Sequence, residues 1–104
     1  MQNRDFGITK EKTPESVKLI LKGFISSIYA NELQKQLDET LKAGEYNLIL
    51  NMSQVEYLCS IGISVIINAY KAATETGGTL GIEQPSENVR KVLAITSLDK
   101  ILML

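Results

Sequence analysis

Residues 57–67 read YLCSIGISVII, and a strand and a helix compete for them. Ile61, Ile63, Val65 and Ile67 alternate as in a half-buried strand, whereas Ile63, Ile66, Ile67 and Tyr70 fall on one face of a helix. Both arrangements bury the apolar residues, and Ser60 is what separates them. In a strand it is one more small polar residue, but at a strand-to-helix turn its hydroxyl stands exposed at a helix N-terminus. The residues that follow favour the helix. Asn68 opens NAYKAATET, which is poor strand material and carries the Ile63, Ile66, Ile67, Tyr70, Ala73 stripe onward until Gly77-Gly78 stops it. One helix over about residues 61–76 is therefore expected, with Ser60 at or beside its N-cap. The β-branched residues oppose helix propensity, so tertiary burial has to override it.

Upstream, residues 46–52 contain the continuous run Leu48-Ile49-Leu50, which suits a strand covered on both faces. The stretch from Ile28 has helical spacing, with Ala30, Leu33, Leu37 and Leu41 on one stripe and Glu32, Lys35, Asp38, Glu39 and Lys42 off it. Gly44 ends that helix, and residues 23–27 break the pattern ahead of it. Residues 6–10 and 17–21 are β-prone and are separated by a turn around Pro14, an antiparallel hairpin. Downstream, residues 79–83 give a fourth strand, Pro85-Ser86 opens a helix striped by Val89, Val92 and Leu93, and residues 101–104 read as a last strand. The expected order is β-β-α-β-α-β-α-β. It defines an α/β domain over residues 1–104, with a mixed, mostly parallel sheet of about four to five strands and helices packed on it.

The totals exclude several kinds of chemistry. At 104 residues, 44% hydrophobic and 22% charged, the chain is long enough for one modest core. Eleven basic against twelve acidic residues give a net charge of −1 with no basic cluster, so a nucleic-acid partner is not expected. With no histidine there is no Ser-His or Cys-His dyad, and a single cysteine, Cys59, removes nearly all zinc sites and any intramolecular disulfide. The acidic residues lie on a helix surface or singly, and the glycines match no phosphate-binding loop. No run approaches the roughly 20 apolar residues of a membrane span, so direct membrane insertion is not expected and a cytoplasmic protein is. No metal or bound cofactor is expected.

These residues resemble the STAS domains, and within them the bacterial anti-sigma-factor antagonists. The resemblance is carried by Gly23-Phe-Ile-Ser26 before the first helix, the strand Asn47-Leu-Ile-Leu-Asn-Met52, the Gly77-Gly78 turn and the closing Val92-Leu-Ala-Ile-Thr-Ser-Leu-Asp-Lys-Ile101. At its centre is Val55-Glu-Tyr-Leu-Cys-Ser-Ile-Gly62, where the family has an apolar residue, then Asp-Ser-x-Gly and further apolar residues. The resemblance implies a regulatory binding protein with no catalysis of its own. Its partner is implied to be an anti-sigma factor that is also a serine kinase using ATP and Mg, which phosphorylates Ser60. Unphosphorylated antagonist binds that partner and frees a sigma factor, phosphorylated antagonist lets go, and a serine phosphatase resets it.

Two positions depart from the family pattern: Cys59 and Ser26 stand where it has aspartates. Their loss reduces the repulsion a phosphate on Ser60 would meet. Ser26, Tyr57, Cys59, Ser60, Ile61 and Gly62 form the expected partner-binding set, with Ser60 as phosphoacceptor. Five of them have a plainer reading: Ser60 as an N-cap worth about 1 kcal/mol, Cys59 as an inert half-buried thiol, Gly62 as a close-packing residue, Tyr57 and Ile61 as core. Ile63 is expected in the core. The alternative function is a phosphorylation-independent STAS scaffold or regulatory subunit of a transporter or signalling complex.

Overall fold

Alternating apolar residues make the centre of the sheet. In the computed structural model, which describes residues 6–104, Val17, Leu19, Leu21, Gly23 and Ile25 of β2 (Val17–Ile25) lie on one buried face while Lys18, Ile20, Lys22 and Phe24 between them stay at least partly exposed. The strand is preceded by β1 (Gly7–Lys12), which pairs with it antiparallel, Gly7 opposite Lys22 and Lys12 opposite Val17. The turn between them is held by Thr13, whose Oγ1 accepts from the Ser16 backbone N–H at 3.1 Å while its own N–H donates to the Ser16 carbonyl at 2.8 Å. The expected hairpin is present.

β2 and β3 (Asn47–Leu58) are parallel neighbours joined by α1 (Ser27–Lys42). β3 and β4 (Thr79–Glu83) are parallel neighbours joined by α2 (Ser60–Glu75). Sheet order is β1-β2-β3-β4. Ala30, Leu33 and Leu37 of α1 and Val65, Ile66, Ala69 and Ala73 of α2 are buried in the one hydrophobic core. At β-branched Val65 and Ile66, burial outweighs the poor intrinsic helix propensity. Gly44 (φ 87°) and Gly77 (φ 83°) follow the ends of α1 and α2 in the left-handed region, as their position after each apolar stripe requires.

Three expectations need correction. Residues 23–27 do not break the pattern: β2 runs through buried Gly23 (φ 90°) to Ile25, and the glycine sits at a register irregularity against β3. A residue that tolerates positive φ lets the strand absorb a bulge and continue. The third strand likewise does not stop at Met52 but extends to Leu58, with Ser53 and Gln54 both exposed at the irregularity before Val55 and Leu58 turn inward again.

The third correction concerns the C-terminus. After α3 (Glu87–Ile95) and the left-handed Ser97 (φ 61°), the last apolar run forms a short helix α4 (Asp99–Leu102), and only Met103 bridges to β4, opposite Ile82. Leu102 is buried as a helical residue, with its N–H donating to the Leu98 carbonyl at 2.8 Å. A four-residue apolar run has no period to distinguish the two conformations. The observed order is β-β-α-β-α-β-α-α, with four strands among the described residues.

β4 pairs with Asn47 to Asn51 only, so the far half of β3 needs another partner on that side. The start of α3 supplies it. The Ser86 N–H donates to the Met52 carbonyl at 3.0 Å, Ser86 Oγ to the Val55 carbonyl at 2.5 Å, and Asn88 Nδ2 to the Glu56 carbonyl at 2.8 Å. This leaves the carboxyl ends of β2 and β3 as a firm platform.

Candidate functional site

The site stands on that platform. Ile25 and Leu58, the last residues of the two parallel strands, are register partners, and both are buried. The Cys59 N–H donates to the Ile25 carbonyl at 3.0 Å, which ties the two exits together. Each strand then passes through one extended residue into a helix: Ser26 (φ −80°, ψ −179°) caps α1 and Cys59 (φ −77°, ψ 168°) caps α2. Open parallel sheets present their functional residues at this edge, because backbone N–H groups of helix starts converge there.

Ser60 is the first residue of α2, one position past the N-cap. The cap is Cys59, whose Sγ accepts from the Gly62 N–H at 3.3 Å. Ser60 is exposed, and among the described residues its hydroxyl has no hydrogen-bond partner. A hydroxyl at the cap would be committed to a backbone N–H. One residue later, it faces outward and free.

Gly62 is buried, and its place in the site is steric. A Cβ there would lie 2.8 Å from Leu58 Cδ1 and 3.2 Å from Ile25 Cγ2. The missing side chain lets the first turn of α2 settle on the two strand ends, which turns Ser60 and Ile61 toward solvent. Ile61 and Tyr57 are each 48% exposed, and the Tyr57 ring leans on Phe24, its cross-strand partner, at 5.6 Å between centroids. Ser26 is half-buried and its side chain makes no capping bond, although its carbonyl accepts from the Ala30 N–H at 2.7 Å. Ile63 is partly buried against the core, as expected.

The sequence reading left out Ser27, Ile28 and Tyr29, at the start of α1 beside this site. Ile28 is 74% exposed, and Tyr29 stacks on Phe6 with centroids 5.1 Å apart. A signal for them existed: Ile25-Ser-Ser-Ile28 repeats the pattern of Leu58-Cys-Ser-Ile61. Among the described residues no group of three or more Cys, Asp or Glu side chains is placed to hold a metal. The perturbed titratable pair lies elsewhere on the sheet. Hydrogen bonds from Lys18 and Asn51 hold the Glu83 carboxyl below its ordinary range, and the bond to Glu83 raises Lys18.

Comparison with known proteins fits this geometry. The STAS domain family model matches residues 7–104, and the chain belongs to that family. A Thermotoga neapolitana protein, assigned as an anti-sigma factor antagonist and a homologue of TM1081, is 39% identical over 64 residues, 62% of this chain and 57% of its own length. The matched stretch thus spans just over half of that relative. The crystal structure of TM1081 from Thermotoga maritima, given the same assignment, superposes with a TM-score of 0.86 at 29% identity, covering 92% of this chain and 83% of that one. The fold is shared with Bacillus SpoIIAA in its phosphorylated form, at a TM-score of 0.73 and 19% identity over 93% of this chain and 89% of that one. No helix among the described residues is long and apolar enough to cross a membrane.

Proposed function

We propose that this protein is an anti-sigma-factor antagonist that docks on a kinase-type anti-sigma factor and frees a sigma factor, with phosphorylation of Ser60 ending the contact. The observation that carries this reading is the hydroxyl of Ser60, exposed and, among the described residues, without a bonding partner because Cys59 performs the capping. Residues 57–70 and 24–31 contain no carboxylate or histidine to take its proton, so the base and the donor come from the partner. The kinase transfers the γ-phosphoryl group of Mg-ATP: an Oγ–P bond forms at Ser60, the bond to ADP breaks, and the serine proton passes to a base on the kinase. A serine phosphatase restores the hydroxyl by hydrolysis.

The switch is electrostatic. Phosphate adds about −1.5 to −2 charges to a stretch that also exposes the apolar side chains of Tyr57 and Ile61. Docking has to strip water from that charge, and an uncompensated buried charge is strongly disfavoured. Incubation with the serine-kinase anti-sigma factor of the same cell and Mg-ATP, followed by mass spectrometry, tests the reading. The expected outcome is one added phosphate on the peptide containing Ser60, absent in Ser60→Ala. An unmodified peptide with binding intact would instead support the phosphorylation-independent scaffold.

A further inference from the structure

Alternation along the end of β3 fails at one residue. Counted from buried Val55, the two-residue period of a strand puts Tyr57 inward and Leu58 outward, yet Tyr57 is 48% exposed and Leu58 only 4%. The register explains the reversal. Gly23 and Phe24 are consecutive on β2 but pair with Val55 and Tyr57, so Glu56 is an extra residue on β3 with no partner on β2. Such a bulge inverts the phase of everything beyond it. Here it seats Leu58 beneath Gly62, where a Cβ would lie 2.8 Å from Leu58 Cδ1. It thereby sets the direction in which the chain leaves for Cys59 and Ser60.

Two side chains at the start of α3 reach this bulge. Ser86 Oγ donates to the Val55 carbonyl, and Asn88 Nδ2, at the second position of α3, donates to the Glu56 carbonyl at 2.8 Å. Ser86 also caps α3, so its loss unsettles the helix itself. Asn88 is exposed and, among the described residues, its side chain makes no other hydrogen bond. Beyond the bulge, Tyr57 and Leu58 are tied to β2 by pairing with Phe24 and Ile25, and Cys59 by its N–H bond to the Ile25 carbonyl at 3.0 Å. Asn88 supplies a hold from α3.

We propose that Asn88 is a positioning residue for phosphoryl transfer to Ser60: by fixing the carbonyl of the bulge it fixes the turn that carries the hydroxyl. This rests on the function proposed above and adds a residue to it. The bond lies at the surface, where water can replace it at little cost to stability, but a water does not tie Glu56 to α3. The segment from Glu56 to Ser60 can then rock about the bulge. Docking is spread over several side chains and tolerates this. Transfer needs the Oγ aligned, and a displacement of about 1 Å can cost up to about a hundredfold in rate.

Steady-state phosphorylation of the full chain by the serine-kinase anti-sigma factor of the same cell, with Mg-ATP, tests the assignment. Asn88→Ala is expected to lower kcat about tenfold while KM for the chain stays within about twofold. Asn88→Asp keeps the size of the side chain but has no hydrogen to donate. An acidic residue in the first turn favours a helix, so Asn88→Asp should keep its thermal melt while kcat falls as in Asn88→Ala. Glu87→Gln, at its exposed neighbour, should stay within about twofold. Hydrogen exchange reads the same effect without the kinase: the Cys59 and Gly62 amides should exchange at least about fivefold faster in both Asn88 variants, with Leu50 unchanged. Native kcat in a folded Asn88→Asp, or unchanged exchange at Cys59 and Gly62, overturns the positioning role while leaving the phosphoswitch standing. A native chain that takes no phosphate at Ser60 overturns the proposed function and the inference with it.

Discussion

Ser86 and Ser60 both stand at the start of a helix, and they are put to opposite uses. Ser86 occupies the cap of α3, where its hydroxyl accepts from the Val89 N–H at 3.2 Å and donates to the Val55 carbonyl, so donor and acceptor are both spent on the fold. Ser60 lies one residue beyond the cap of α2 and, among the described residues, spends neither. Residue type does not separate a structural serine from a modifiable one. A shift of a single position along the helix does, and at α2 that shift is made by placing a thiol at the cap.

The contrast predicts an order of stability effects that chemical denaturation can measure. Ser86→Ala should be the most damaging, removing a cap and a bond to a strand carbonyl for about 2–3 kcal/mol in all, and Ser60→Ala should cost under about 0.5 kcal/mol. Equal losses at the two serines would show that Ser60 is structural after all. Gly62→Ala comes next. The added methyl group presses on Leu58 and Ile25, and overpacking should cost about 1–2 kcal/mol net of the better helix propensity of alanine. An unchanged urea midpoint would mean that α2 can lift off the strand ends.

Cys59→Ala should cost about 0.5–1 kcal/mol and Cys59→Asp should recover it, since a carboxylate caps better than a thiol. If Cys59→Asp leaves Ser60 phosphorylation by the partner unchanged, the cap's identity matters to stability alone.

The smallest expected effect lies on the sheet, away from the helix starts. Glu83 has its pKa lowered in the folded chain, so its contribution is present above the unfolded value and fades as pH falls through the folded one. Lys18 has its pKa raised, so its share is present below the unfolded value of 10.5 and fades as pH rises through the folded one. Glu83→Gln should flatten the acid limb of a stability–pH profile without altering docking, because the pair lies away from the helix starts.

Much of this was legible in the residues. The stripe from Ile63 to Ala73 ending at Gly77 identified α2, and Leu48-Ile49-Leu50 identified a central strand, because burial at Val65, Ile66, Ala69 and Ala73 outweighs the poor helix propensity of the β-branched residues. The extension of β3 was hidden since a bulge between Asn51 and Gln54 disrupts the two-residue period that sequence reading relies on. The end of the chain was misread because Ile101-Leu-Met-Leu carries no period at all. At the site, the residues placed Ser60 at or beside the cap of α2, and it lies beside it. Only the backbone placement of Cys59 shows which residue took the position. Ser27 and Ile28 escaped notice because their resemblance to Ser60 and Ile61 acquires meaning only when two strands distant in sequence end side by side.

The shared origin of α1 and α2 at one sheet edge has a consequence for the modified protein. A phosphate on Ser60 would lie near the positive poles of two peptide macrodipoles, and both favour its dianion over its monoanion. Its second ionisation, ordinarily near about pH 6, should therefore move to lower pH, which phosphorus NMR would register. The modified state would then keep its full double charge through mild acidification of the cell.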